Sequence, residues 1–381
     1  MLKKNSTDSI NKEKKEDLKK IRTNNLSTDK LKSNNINLDD VNNVYLATVI
    51  VVIIAFHVVL LLVSLLGNVL SLFGFDGKSL YDNCIEILND PLIGMFLSQM
   101  LILIPSVVFL YNRKKHIQET LRFNKIDVVT LVALTVITYT LLPVMSFLNM
   151  LSMVFVKNRI SDTVTGVVTS KPLIVGIFVV AILPAFVEEI LCRGILYNNH
   201  RKVDVKKAII LNGILFGLLH GNFNQFAYAF VMGMIFSLLV EATDTVISTI
   251  WCHFLINGNS IVASFISKNT QNGDVVNTTK EISYRSLIPW GCMALLCLAI
   301  SFLIFIFIAK HNNRYEYLQQ VLSNKEDKDA IEDIENSENT SFEKKKIVKN
   351  QNSKNQLLLT PGLICAMIMS LIYMICTEFI L

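Results

Sequence analysis

Three apolar stretches of this 381-residue chain carry side chains that can hold, move or donate a proton. Residues 172–197 contain two adjacent acids, Glu188 and Glu189, and a base, Arg193. Residues 208–221 contain His220, one turn after Phe216, and residues 245–266 contain His253 and Asn257. A charged side chain at the centre of a bilayer costs about 2.5–3.5 kcal/mol on insertion scales. Such groups persist where a partner or a watery cavity offsets that cost, so each is a candidate for function.

Helix geometry sorts them. Glu189 and Arg193 are i and i+4, on one face and in the favourable acid-before-base order. Glu188 is rotated by ~100°. The spacing therefore predicts an ion pair between Glu189 and Arg193 and leaves Glu188 for chemistry. Pro184 removes the hydrogen bond to the Val180 carbonyl and predicts a kink ahead of the acids. Structural alternatives stand beside this reading: a buried ion pair with one protonated spare glutamate, and histidines that only bond between helices.

Depth joins the three stretches. At 1.5 Å per residue Glu188 lies roughly 15 Å in from Asn198, His220 roughly 20 Å in from Lys207, and His253 roughly 13 Å in from Asp244. Asn257 lies one turn deeper. The four are predicted to meet in one layer. A glutamate and a histidine can hold and deprotonate a water, while a second histidine and an amide can donate to an oxyanion. That set hydrolyses an amide without a covalent intermediate and needs no cofactor. Zinc held by Glu188, His220 and His253 is the alternative, weakened by the absence of an HExxH motif. Cys192 and Cys252 are disfavoured as nucleophiles, because apolar surroundings raise a thiol's pKa.

The elements that must position these groups are membrane helices. The chain is 52% hydrophobic and only 18% charged, which excludes an ordinary soluble domain. Its formal charge of +5 is modest and gathered in particular loops, a pattern of membrane orientation rather than nucleic-acid binding. The predicted fold is all-α, a polytopic transmembrane bundle of eight or nine spans, nine being the count of apolar runs. The runs at 208–221 and 226–240 are short, so one or both can stop inside the protein. Those at 44–73 and 128–156 are long enough to tilt, or to kink at Pro143.

Residues 1–43, Lys- and Asn-rich, read as a disordered tail and not as a signal peptide. Residues 44–309 form the bundle, with a catalytic core at 172–266. Residues 310–356 read as a disordered linker before a last helix at 357–381. Arg113, Lys114, Lys115, Arg122 and Lys125 fall in one loop, and Arg201, Lys202, Lys206 and Lys207 in another. The tail and the linker add more, all on one side. Positive-inside places that side, with the N-terminus, in the cytoplasm of a multi-pass cell-membrane protein.

Glu188-Glu189-Ile190-Leu191-Cys192-Arg193 resembles the motif EExxxR, Phe216 to His220 resembles FxxxH, and His253 to Asn257 resembles HxxxN. In this order, on successive helices, they are similar to the motifs of the CPBP (CAAX protease and bacteriocin-processing, or Abi) intramembrane proteases, which include the type II CAAX prenyl endopeptidases. The resemblance implies a helical membrane endopeptidase with a cavity open toward the cytoplasm. It implies Glu188 and His220 as water activators and His253 and Asn257 as oxyanion stabilisers, with Glu189 and Arg193 completing the first motif. The implied partners are the bilayer and a peptide or protein substrate, such as a lipidated CAAX tail or a bacteriocin precursor. A non-catalytic scaffold or a small-solute or proton transporter, using the same polar groups, is the other reading.

Overall fold

The computed structural model describes residues 37–113, 117–270, 284–323 and 358–379. The tail before residue 37 and the linker residues 324–357 lie outside the described residues. Among the described residues every regular element is a helix. Eight of these helices are long and apolar enough to cross a membrane. The protein is a multi-pass all-α bundle.

The first helix, α1 (Leu38–Leu72), starts six residues ahead of the expected boundary. Asn37 caps it by accepting from the Asp39 amide, and Asp39 and Asp40 sit in the positive first turn. After a short α2 (Gly77–Asn89) comes α3 (Pro91–Asn112), capped by Asp90. The one-turn α4 (Ile117–Leu121) leads to α5 (Val128–Ser152), which runs on through Pro143 without a break. The short α6 (Arg159–Ser170) precedes α7 (Leu173–His200). Next come α8 (Val205–Leu219), α9 (Phe223–Thr243) and α10 (Ile247–Thr270). The order ends with α11 (Tyr284–His311), the short α12 (Tyr315–Leu322) and α13 (Pro361–Phe379).

α8 settles the question of the two short runs. Asn222 caps α9 at Phe223, which gives that helix 21 residues and a full crossing. α8 has 15 residues, below the ~20 needed to span alone. It lies along α9 as a hairpin instead. A Cβ at Gly233 would come within 2.6 Å of the Gly213 Cα, and one at Gly217 within 2.9 Å of the Phe226 ring. The small-residue row of α8 is therefore where the two backbones meet.

Contacts between helix ends define two faces. On one, Arg113 bonds Asp40 (3.1 Å), His200 bonds Asn42 (2.7 Å) and His311 bonds Asp127 (3.1 Å). On the other, Lys171 pairs with Asp90 (2.9 Å), and Thr377 donates to the Gly221 carbonyl (3.3 Å). Arg113, Arg122 and Arg201, among the described residues of the basic loops, belong to the first face. There Glu241, at the end of α9 and fully buried, collects Arg122, Arg201 and Arg314 together with the Tyr197 hydroxyl. This clamp explains a departure from expectation. Residues 315–322, read as disordered linker, form α12, because Arg314 is tied to Glu241 and Leu318 is buried.

The outer surface is apolar, as a bilayer demands. Leu61, Leu62 and Leu65 on α1 and Leu295, Phe302 and Leu303 on α11 are all exposed. The polar side chains of α7 turn the other way, into the bundle.

Candidate active site

α7 is continuous but not uniformly α-helical. Residues Ile177–Ile182 and Ile190–Tyr197 are wound as π-helix, on either side of an α segment, Leu183–Glu189, that carries both acids. Pro184 cannot serve the Val180 carbonyl at i+4. Asn257 of α10 serves it instead, its Nδ2 donating at 3.1 Å. The expected disturbance at Pro184 thus takes the form of widened turns, a device found at functional sites.

Glu189 and Arg193 pair as their spacing predicts. Nη1 donates to Oε1 at 2.7 Å, and both side chains are fully buried. The guanidinium also donates to the Gly233 carbonyl at 3.3 Å and lies over two rings, 4.1 Å from the Phe216 centroid and 5.0 Å from that of Phe236. An ion pair, a carbonyl and two aromatic faces together offset the burial of that charge. Phe216 thus has a position of its own: it is a post between Arg193 and the two histidine rings, meeting both edge-on.

His253 joins this pair rather than Glu188. Its Nδ1 lies 3.0 Å from Glu189 Oε1. An ionised carboxylate only accepts, so Nδ1 carries the proton, and Nε2 donates only from the imidazolium.

Glu188 has a different set of neighbours. Its Oε1 accepts from Gln99 Nε2 of α3 at 2.9 Å. Its Oε2 is buried, has no hydrogen-bond partner among the described residues, and lies 4.0 Å from His220 Nε2. His220 Nδ1 sits 2.8 Å from the Phe216 carbonyl, which only accepts. That contact fixes the proton on Nδ1 and leaves Nε2 of the neutral ring as an acceptor facing Glu188.

The structure therefore brings Glu188 and His220 together, and separately joins Glu189, Arg193 and His253. Asn257 lies on the turn after His253 with one amide hydrogen on the Val180 carbonyl. Gln99 was missed by the reading of the sequence. Its one signal there is a carboxamide inside the apolar run of α3. Glu241 was missed as well, an acid at the end of an apolar run.

Of the three candidate zinc ligands, Glu188 and His220 face each other, while His253 is bonded to Glu189 through Nδ1, which leaves its Nε2 as the one atom that could reach a metal. Among the described residues no group of three His, Cys, Asp or Glu side chains is placed to hold a metal ion. As placed, these three side chains do not make up a zinc centre.

Residues 170–258 match the family described as Type II CAAX prenyl endopeptidase Rce1-like. This segment is of the CAAX-protease family. The Rce1-like segment runs from just before α7 into α10 and so contains Glu188, Glu189, Arg193, Phe216, His220, His253 and Asn257. Gln99 lies outside it. No curated protein and no solved structure matches the chain. The Rce1-like assignment carries with it, in general terms, the activity of an intramembrane endopeptidase.

Proposed function

We propose that the chain is an intramembrane endopeptidase in which Glu188 and His220 activate a water. The observation that supports this is the pair of facing acceptors, Glu188 Oε2 and His220 Nε2, 4.0 Å apart. One water donating a 2.8 Å bond along each of its O–H directions spans about 4.4 Å between its two acceptors. A water held this way points both hydrogens at the protein and its lone pairs at whatever occupies the site.

The chemistry follows from those positions. Gln99 holds one oxygen of Glu188, so the other is aimed at the water. The water oxygen attacks the peptide carbonyl carbon as one of its protons passes to Glu188. His220 holds the second hydrogen and keeps the water oriented. Negative charge develops on the carbonyl oxygen, where the second amide hydrogen of Asn257 is a donor and His253, held by Glu189, donates from Nε2 when both its ring nitrogens carry a proton. Collapse breaks the C–N bond, the proton returns to the leaving nitrogen, and a carboxylic acid and an amine result. Glu189 and Arg193 act by holding His253 and Phe216 in place. The basic face lies in the cytoplasm by the positive-inside asymmetry.

The test compares membrane peptides from cells carrying the unaltered chain and Glu188→Gln, by mass spectrometry. Cleavage products that vanish with Glu188→Gln support the reading. Identical peptide sets, with both proteins present and folded, overturn it.

A further inference from the structure

Glu188 and His220 stand on different helices, and the ring of His220 goes where the last turn of α8 goes, because its Nδ1 bonds the Phe216 carbonyl. That turn runs at once into α9, and a helix end leaves backbone groups that need partners. Those of His220 and Gly221 can be followed one by one. The His220 amide donates to the Gly217 carbonyl at 3.3 Å, and the Gly221 amide to the Leu218 carbonyl at 3.2 Å. Asn222 Nδ2 donates to the His220 carbonyl at 2.9 Å. These three bonds are local. The Gly221 carbonyl is served from α13 instead, by the Thr377 hydroxyl at 3.3 Å, which lies 3.0 Å from the Met374 carbonyl of its own helix as well.

A ring of α13 covers the same residue. Gly221 has φ +66°, a conformation that favours glycine, and a Cβ there would come within 3.0 Å of the Tyr373 ring. The other end of α13 is fastened too. Asn42 of α1 donates to the Leu358 carbonyl (3.0 Å) and to the Thr360 hydroxyl (3.1 Å), just ahead of α13. Its Oδ1 accepts from Nε2 of His200, the last residue of α7, at 2.7 Å. α13 is therefore tied at one face to the end of the helix that carries Glu188, and at the other to the turn that carries His220.

We infer that Tyr373 and Thr377 are positioning residues for the reaction, and that α13 sets where His220 stands against Glu188. The inference rests on the peptidase reading of that pair, and it extends the working site to a helix outside the Rce1-like segment. Glu188 Oε2 and His220 Nε2 are 4.0 Å apart, a gap matched to one water. A misplacement of about 1 Å in such a constellation is enough to cost about 10²-fold in rate. Tyr373 and Thr377 act through His220 and not on the substrate, so their loss belongs in kcat rather than in KM.

Three variants of the full chain test this. Thr377→Val keeps the shape of the side chain and removes the hydroxyl, Thr377→Ser keeps the hydroxyl, and Tyr373→Leu removes the ring. Amide hydrogen exchange, read by mass spectrometry, is expected to quicken at residues 217–226 in Thr377→Val and Tyr373→Leu, and to stay unchanged in the rest of the bundle. On a peptide that the unaltered chain cleaves, kcat is expected to fall about 10- to 100-fold with KM within a few-fold. Thr377→Ser is expected to restore both readouts. Residues that only pack would lower the Tm and leave the kcat of the folded protein unchanged. Unaltered exchange at the turn, normal kcat in both variants, or a Thr377→Ser protein as slow as Thr377→Val overturns the inference. The exchange readout needs no activity. Faster exchange at the turn in a chain that cleaves nothing refutes the peptidase reading and supports the hold of α13 on His220. A cleaving chain whose variants keep a normal kcat refutes the positioning role alone.

Discussion

Asn257 Nδ2 donates to the Val180 carbonyl at 3.1 Å, the acceptor that Pro184 leaves without an i+4 partner. One side chain on α10 thereby completes the backbone of α7 just ahead of the two acids. The positions of Glu188 and of the HxxxN helix are coupled through that bond.

Asn257→Ala removes both hydrogens of the amide. Loss of an oxyanion donor typically lowers kcat by about 10²–10³ with little change in KM. A buried carbonyl left unsatisfied costs about 1–3 kcal/mol, so thermal stability is expected to fall as well. An Asn257→Ala protein with normal kcat and a lowered Tm would confine the residue to helix support. Normal values of both would refute the bond itself.

Gln99→Leu keeps the bulk of the side chain and removes the donor to Glu188. Hydrogen bonds to charged groups contribute about 1.5–3 kcal/mol, which corresponds to a kcat roughly 10- to 150-fold lower if the bond aims the carboxylate. KM should stay within a few-fold, because Gln99 acts through Glu188 and not on the substrate. Steady-state kinetics on a peptide from the peptidome comparison would decide; an unchanged kcat would make Gln99 a packing residue.

Glu189→Ala or Arg193→Ala leaves the partner's charge buried, at a cost of roughly 3–5 kcal/mol. Either change should lower the Tm or the yield of folded protein. Glu189→Ala combined with Arg193→Ala is expected to be milder than the sum of the two single changes, since neither charge of the pair is left without the other. Melting curves of the singles and the double, taken in one detergent, test the coupling. Strict additivity would contradict the pair.

Chelation is expected to leave peptide hydrolysis intact, because among the described residues no three His, Cys, Asp or Glu side chains are placed to hold a metal ion. Zinc at one per chain, lost with activity under a chelator and regained with it, would reverse that assignment. Elemental analysis of purified protein, beside the rate, provides the comparison.

The spacing of Glu189 and Arg193, the helical bundle and the Rce1-like segment were legible in the sequence, because each depends on local period or composition. The pairing of His253 was not. Depth along a helix is set by counting residues, whereas the choice between Glu188 and Glu189 depends on rotation about α7, and π-turns on both sides of the acids change that rotation. Gln99 escaped for another reason: one carboxamide in an apolar run has the same appearance whether it packs or aims a catalyst. α12 was read as disorder since its order comes from a distant acid, Glu241, and not from its own eight residues.

The π-wound stretch Ile177–Ile182 gives α7 a phase that the identities of its residues do not reveal. Each widened turn absorbs one residue more than an α-turn would. Dropping a single residue there and letting the segment relax to α-helix would swing everything beyond it by ~100° about the axis. Glu188 and Glu189 would keep their neighbours in the chain and lose them in space, Gln99 and His253 among them. Every motif letter would survive such a deletion while the reaction stopped, so in α7 the number of residues ahead of the acids is as binding as the acids themselves.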